Sequence, residues 1–252
     1  ILLLSFSCSK KEIKIAGPSD EEKSVQIYKE AIFEMEKANY YYARKKFSEA
    51  ELILPNIEFS AKAALMASFC YYQISFYDEA IESLERFIEK YPVNKNVAYA
   101  HYLISLSLYE QILDEKKDIE PLIKSREKIN FFIKKYPDTE YAIDLKFKQD
   151  LINNQLAAKE LYVAKYYIKK QKWIPAINRL NKIVQNYDET IFIEEALHRL
   201  VEIYYRVGLE DEAKAAAVLL GYNYNSSKWY EQSYKVLNKD YKIYKKMPAK
   251  KK

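Results

Sequence analysis

The chain has 252 residues, of which 49% are apolar and 31% charged, a balance that excludes a disordered chain and an integral membrane bundle. Its net charge of +5 is concentrated at one end, because residues 239–252 hold seven lysines and one aspartate, a local charge of +6 that leaves −1 for the rest. The body of the protein therefore has no basic stripe for nucleic acid. The simplest interpretation of the lysine-rich end is a solvated, disordered tail, and weak attraction to anionic lipid headgroups is the alternative.

The first eight residues, ILLLSFSC, form a short apolar run that ends at Cys8. The run is too short to span a bilayer and resembles the end of a secretory signal, without its methionine and basic start. It is similar to a bacterial lipobox, so we predict that Cys8 carries acyl chains that anchor the protein to a membrane. Ser9, in place of aspartate, is typical of lipoproteins sorted to the outer membrane. The alternative is an ordinary signal fragment with an incidental cysteine.

A helix pair recurs five times along the chain. Residues 61–92 predict two amphipathic helices that touch at the small residues Ser68 and Ala80, and Pro92 ends the second helix. This pattern resembles the tetratricopeptide repeat, whose period is near 34 residues. Four further copies share it. The small residues of the second helices are Ala43, Ala80, Ser125, Ala176 and Ala213. Those of the first helices are Ala31, Ser68, Ser105 and Ala164.

Two irregularities interrupt the regular repeats. The segment ILDEKKDIEP predicts a projecting loop within the third copy, and residues 140–169 contain no helix breaker and predict one helix of about thirty residues. We expect Gly221 to cap the second helix of the fifth copy, and Trp229 and Tyr230 to cover the end of the stack on a short last helix. The predicted fold is all-α, a right-handed solenoid of five tetratricopeptide-like helix pairs, with a long helix leading into repeat 4 and a short C-terminal capping helix.

Residues that carry catalysis or bind metals are scarce. The two histidines, His101 and His198, have no cysteine or acidic cluster at ligand spacing, and the three glycines form no phosphate-binding loop. Cys70 lies among apolar residues and is expected to be a buried thiol. We therefore predict no enzyme activity, no metal and no cofactor.

The first helices of such repeats line a concave groove, and in copies one to three the residues expected there are mostly aromatic. An extended peptide with apolar or aromatic side chains fits a groove of this kind. The alternative is that the tyrosines simply pack between helices. The predicted groove residues are Tyr28, Met35, Leu65, Phe69, Tyr72, Tyr99, Tyr102 and Tyr109.

Several segments together resemble the BamD family, the lipoproteins of the outer-membrane β-barrel assembly machinery. These segments are the lipobox-like start, YYQISFYDEAIESLERFIEKYP, AYAHYLISLSLYEQ, the insertion in repeat 3, and KWIPAINRLNKIVQNYDETIFIEEALHRLVEIYY. The resemblance implies a non-enzymatic scaffold at the periplasmic face of the outer membrane. Its expected partners are a periplasmic POTRA domain of the barrel subunit BamA, other Bam lipoproteins and unfolded outer-membrane proteins. In the family an arginine within an Asn-Arg pair contacts an acidic residue of BamA, and Asn178 and Arg179 stand in the matching place. The alternative is that Arg179 simply faces solvent.

The resemblance covers the chain from Cys8 to about Asn238 and leaves the lysine-rich tail outside, so we divide the chain into five parts. Residues 1–8 are the remnant of the lipoprotein signal and residues 9–22 a flexible tether. Repeats 1–3, residues 23–138, are expected to recognise substrates. Repeats 4–5 and the cap, residues 139–238, are expected to bind BamA. Residues 239–252 form the basic tail. One alternative is another periplasmic tetratricopeptide lipoprotein that coordinates cell-envelope processes, which would lack the insertion and the long helix. A soluble cytoplasmic co-chaperone is the other.

Overall fold

In the computed structural model, residues 20–112, 119–225 and 227–238 are described, and they form eleven α-helices and no strand. In chain order the first five helices are α1 Asp20–Glu36, α2 Tyr40–Ile53, α3 Ile57–Gln73, α4 Tyr77–Lys90 and α5 Val97–Glu110. The remaining six are α6 Glu120–Lys135, α7 Glu140–Lys169, α8 Trp173–Asn186, α9 Ile193–Arg206, α10 Glu210–Asn223 and α11 Lys228–Leu237. The predicted all-α fold is confirmed.

The order of the helices follows the predicted repeats. α7 is a single helix of 30 residues, as expected from the absence of breakers, and α11 is the expected short last helix. α1 begins at Asp20, three residues earlier than the predicted tether allows. Cys8, the basic tail 239–252 and residues 113–118 of the repeat-3 loop lie outside the described residues. The handedness of the solenoid stays a prediction.

Three helices end two residues before a proline, a signal that is visible in the sequence. α4 ends at Lys90 and α6 ends at Lys135, in each case two residues before a proline. Because proline disfavours the α conformation in the residue before it, the chain leaves the helix at that point. Helix starts follow similar local chemistry. The Asn56 side chain accepts hydrogen bonds from the first turn of α3, and Ser227 accepts one from the backbone of Tyr230 in α11.

The turns inside four helix pairs share one strained backbone conformation. In the α3–α4 turn, Ser75 has a φ of 62° and its N–H donates to the carbonyl of Tyr72 at 3.0 Å. The next N–H, of Phe76, donates to the carbonyl of Tyr71 at 3.0 Å. This pair of bonds is a Schellman motif, which requires the left-handed region that glycine favours. The four residues in this conformation, in two sets 37 apart, are Ala38, Ser75, Gln171 and Gly208.

The chain separates into two compact units, Ile1–Ser107 and Leu108–Lys252. In the first unit, α1 packs on α2, α2 on α3 and α3 on α4. Ala31 and Ala43 are fully buried between α1 and α2, where Phe47 fills the space beside them. The second-helix residue Ala80 is also fully buried, and the first-helix residue Ser68 forms a 2.7 Å hydrogen bond with Ser83 of α4. The predicted small contact residues are therefore inside the structure.

In the second unit, α7 packs on α8, α8 on α9, and α9 on both α10 and α11. Trp229 and Tyr230 of α11 pack against a buried cluster on α9 and α10, as predicted for a cap. The expected role of Gly221 is wrong, because α10 continues past it to Asn223 and Tyr224 is the C-cap. A Cβ at Gly221 would lie 2.7 Å from the Tyr230 ring, so this glycine permits close packing of α11 instead.

We expect the turn conformation to cost stability wherever the residue is not glycine. Ala38→Gly should raise the free energy of unfolding by about 1 kcal/mol, because glycine adopts positive φ without strain. Gly208→Ala should lower it by about the same amount, since an added Cβ meets nothing within 4 Å and only the backbone changes energy. Urea unfolding followed by circular dichroism measures both. Ala215→Gly, in the exposed interior of α10, is the matched control and should lower stability by about 1 kcal/mol. Equal signs for Ala38→Gly and Ala215→Gly would contradict this account.

Candidate partner-binding sites

The first predicted groove residues lie on α1 and are partly buried. Tyr28 and Met35 pack against the cluster formed by α1, α2 and α3. The Tyr28 ring meets Phe47 edge-on, with centroids 5.4 Å apart. Burial raises the pKa of Tyr28, and its buried hydroxyl oxygen has no hydrogen-bond partner among the residues that the structure describes. These residues therefore contribute to the core as well as to the surface.

On α3 the predicted residues differ in exposure. Leu65 is only 5% exposed and presents little surface to a partner. Phe69 is half-buried, and the half-buried Tyr72 ring lies 5.8 Å from the ring of Tyr77 in α4. Phe69 and Tyr72 thus retain accessible aromatic surface on this helix.

The last three predicted groove residues lie on α5. The Tyr99 and Tyr102 rings are 6.2 Å apart, and both residues are half-buried. Tyr109 belongs to the second compact unit, where the Lys148 ammonium lies 5.6 Å from its ring centroid. The predicted groove residues therefore fall in both units, seven in the first and one in the second.

A cavity of about 470 Å³ opens beside α1 in the first unit, and the sequence pattern did not predict it. It forms where the start of α3 leaves a gap against α1, so its position depends on the path of the α2–α3 connection. Tyr28 is one of its lining residues. The apolar and aromatic lining residues are Val25, Tyr28, Ile32, Leu54, Pro55 and Phe59.

In the second unit, Arg179 is held by a buried carboxylate. Its Nη1 donates to Glu160 Oε2 at 2.9 Å, and Glu160, on α7, is 5% exposed. Lys182 donates to the other oxygen of the same carboxylate. The hydrogen bond to Glu160 raises the pKa of Arg179, which stays charged. Two cations thus share one buried anion, and Asn178 beside them is exposed.

In the part of the chain that the structure describes, Cys70 and the two histidines do not form a reactive site together. Cys70 is fully buried, and burial raises the pKa of its thiol to about 12, so it is no nucleophile at neutral pH. His198 is 2% exposed, its Nδ1 lies 2.9 Å from Ser233 Oγ, and its ring stacks near Trp229. His101 is half-buried. Within the described ranges no group of three or more histidine, cysteine or acidic residues is placed to hold a metal ion.

The helices that the structure describes are all too short or too polar to cross a membrane. Helices paired at a 37-residue interval, with buried small residues where they meet, define a helical-repeat protein of the tetratricopeptide type. The sequence pattern of the family YfiO, described as an outer membrane lipoprotein, matches residues 20–219. The chain therefore belongs to the YfiO/BamD family of outer membrane lipoproteins.

Related proteins carry more specific names. The "Outer membrane protein assembly factor BamD" of Rickettsia prowazekii (strain Madrid E) is 39% identical over 211 residues, which are 84% of each chain. The protein of the same name from Caulobacter vibrioides is 35% identical over 219 residues, 86% of this chain and 72% of the relative. A solved structure described as "Functional Characterization of Pseudomonas Aeruginosa pilF" aligns over 84% of this chain with 11% identity. Its TM-score of 0.27 is too low to support an inference.

We expect an acid-sensitive contribution to stability at α9. His198, whose Nε2 lies 3.6 Å from Glu202, and Arg199, at 2.8 Å, lower the pKa of Glu202 from 4.5 to about 2. Of the two, only the arginine is at a normal hydrogen-bond distance. Because the folded pKa is depressed, the stabilisation is present above about pH 4.5 and is lost as the pH falls towards 2.

Thermal unfolding at several pH values tests this expectation. Wild type should unfold at a higher temperature than Glu202→Gln above pH 5, and the difference should shrink as the pH falls to 3. Glu210→Gln removes an exposed carboxylate that is 3.9 Å from Lys214, and serves as the control with little difference at any pH. A pH-independent difference for Glu202→Gln would show that its carboxylate does not carry the effect.

Proposed function

We propose that this chain is a non-enzymatic scaffold for assembly of β-barrel proteins, held at the periplasmic face of the outer membrane by lipid on Cys8. The observation that carries the proposal is the similarity to assembly factors named BamD over 84% of both chains. This similarity includes the region of the long helix α7 and the residues Asn178 and Arg179. Other Bam lipoproteins are expected to associate with the same complex. Co-purification from solubilised outer membrane, with identification of the co-eluting proteins, tests the assignment.

Repeats 4 and 5 are proposed to bind a periplasmic POTRA domain of BamA. Glu160 supports this role, because it fixes the position of Arg179 while the side chain of Arg179 stays 43% exposed. Lys182 shares the same carboxylate, so the three groups together carry one excess positive charge. A fixed, partly desolvated guanidinium is suited to bind an acidic side chain of a partner in bidentate geometry.

We expect Arg179→Ala to weaken binding of the purified BamA periplasmic region by at least tenfold, since a charged hydrogen bond at an interface is lost. Lys182→Ala is the matched control, because it removes the other cation from the same carboxylate and keeps Arg179 in place. Its effect should be less than about threefold. Surface plasmon resonance measures both affinities. Equal losses of affinity for the two variants would contradict a specific contact through Arg179.

Repeats 1–3 are proposed to recognise the C-terminal signals of unfolded outer-membrane proteins, which end in aromatic residues. The half-buried Phe69, Tyr72, Tyr99 and Tyr102 support this role, because each retains aromatic surface for a peptide side chain. The apolar cavity next to Tyr28 lies in the same unit and offers a further place for such a side chain. These contacts would hold an extended peptide without any catalytic step.

A synthetic peptide from the C-terminus of a barrel protein, ending in phenylalanine, tests the groove. Tyr72→Ala and Tyr102→Ala should each weaken its binding about fivefold, because an aromatic contact is lost. Tyr222→Ala is the control, since Tyr222 is 86% exposed in the second unit and should not affect binding. Fluorescence anisotropy gives the affinities, and circular dichroism establishes that the variants are folded. Unchanged affinity in folded Tyr72→Ala and Tyr102→Ala proteins would remove this part of the proposal.

A further inference from the structure

The region around the α7–α8 turn carries an unusual excess of positive charge. Residues 161–187 contain no aspartate or glutamate but include six cations. Three of these cations form ion pairs with carboxylates of the same chain: Arg179 and Lys182 with Glu160, and Lys165 with Glu195 at 2.8 Å. The other three, Lys169, Lys170 and Lys172, are exposed and have no carboxylate partner among the described residues.

These three lysines are grouped with an apolar residue at the end of the hairpin. Ile174, at the start of α8, is 75% exposed. We call Lys169, Lys170, Lys172 and Ile174 the basic tip. Next to it, α7 presents two tyrosines, Tyr162 and Tyr166, which are 74% and 55% exposed. With Lys165 and Lys169 they fall at spacings of three and four residues, and therefore on one face of the helix, opposite Glu160.

The equivalent tips of two other repeats have the opposite charge, whereas the first turn of α2 contains no acidic residue. The first turn of α4 contains Asp78 and Glu79, and that of α10 contains Glu210, Asp211 and Glu212. The first turn of α8 contains no acidic residue. Ile174 stands two residues before the contact alanine of its helix, the place that aspartate occupies in α4 and α10. The repeat fold thus does not require a basic and apolar sequence here.

Helix stability does not account for Lys172 either. Lys172 is the N-cap of α8, and its side chain makes no capping hydrogen bond. Serine, threonine, aspartate and asparagine are the residues that stabilise this position, and a cation at a helix N-terminus opposes the helix dipole. Lys169 and Lys170, at the C-terminal end of α7, do have a favourable interaction with its dipole. Helix stability therefore explains Lys169 and Lys170 but not Lys172.

The tip is held in a defined conformation. Gln171, with a φ of 56°, closes the turn between α7 and α8. Its N–H donates to the carbonyl of Ile168 at 2.9 Å, and the Arg206 guanidinium lies 5.5 Å from the ring of Trp173. The exposed lysines are thus displayed by a fixed turn, so their side chains can be presented together to one surface.

We propose that the basic tip, with Tyr162 and Tyr166 beside it, binds the surface of a phospholipid membrane through anionic headgroups. Lysines attract the negative headgroups, tyrosines favour the interfacial region, and an exposed isoleucine can enter the edge of the acyl layer. An acidic protein would need only the charges, and the exposed Ile174 and tyrosines favour lipid. The inference rests on the proposed placement of the chain at the outer membrane, and adds a second membrane contact to the predicted anchor.

Vesicle binding by the full chain carrying Cys8→Ser, and therefore no acyl group, tests the proposal. The probe is a vesicle of phosphatidylglycerol and phosphatidylcholine, compared with phosphatidylcholine alone. Replacing Lys169, Lys170 and Lys172 together by glutamine should weaken binding to the anionic vesicle by roughly 10- to 100-fold at about 0.1 M salt. Co-sedimentation measures the affinity.

A second triple variant controls for net charge. Glutamine at Lys62, Lys134 and Lys146, which are also exposed, removes the same three charges elsewhere. It should weaken binding less than about threefold. Both triple variants keep the lysine-rich residues 239–252. Any attraction of this segment to lipid is therefore the same in both and cannot cause a difference between them. Equal losses in the two variants, or no loss in the first, would overturn the proposal.

Two single substitutions separate membrane binding from stability. Ile174→Asp introduces the aspartate found at this place in α4 and α10, and Lys172→Ser introduces a better N-cap. Both should unfold at the same temperature as wild type or higher, and both should bind the anionic vesicle severalfold more weakly. Unchanged vesicle binding by both would contradict the proposal.

Two further measurements identify what binds and which claim fails. If a soluble poly-glutamate peptide binds the tip tightly while vesicles do not, the surface docks a protein and the lipid proposal is wrong. The triple variant at Lys169, Lys170 and Lys172 should still bind the BamA periplasmic region normally. Loss of vesicle binding with BamA binding intact supports the membrane contact alone. Absence of BamA binding in wild type would count against the proposed function, and the vesicle result would stand by itself.

Discussion

Close contact between paired helices is the constraint on which the rest of the structure depends. Ala43, Ala80, Ala176 and Ala213 are fully buried in the second helices, and the small first-helix residues Ala31, Ser68 and Ala164 are fully buried as well. Because a larger side chain at these contacts would force the helices apart, the large residues lie beside them, as Phe47 does in the first pair. The same principle operates at the cap, where Gly221 allows the Tyr230 ring to approach α10.

The two faces of α7 differ in charge and in chemistry. On the face towards α8, the buried Glu160 gathers Arg179 and Lys182, since an unpaired carboxylate there would be costly. On the opposite face, tyrosines and lysines are exposed to solvent, and Lys169 has no acidic partner among the described residues. One long helix therefore fixes the Arg179 guanidinium on one side and exposes lysines and tyrosines on the other.

The turns between paired helices require an unusual backbone conformation with positive φ. Ala38, Ser75 and Gln171 occupy a conformation in which glycine, as at Gly208, is unstrained. The Schellman hydrogen bonds satisfy the last carbonyls of the preceding helix, and this offsets part of the strain. In these four pairs the same turn conformation sets the path of the chain from one helix to the next, so Lys172 and Ile174 directly follow a defined turn.

The sequence by itself determined the helices, the 37-residue spacing of repeats 1 and 2 and of repeats 4 and 5, the 30-residue α7 and the family, because periodicity, proline positions and small residues are local signals. The tertiary structure decided what was not local. It revealed the Glu160 carboxylate that holds Arg179, the burial of Leu65 within the predicted groove, and the packing of Gly221 against Tyr230 in place of a helix cap. Each depends on which helix faces which, and contacts between distant residues follow from packing that no single segment specifies.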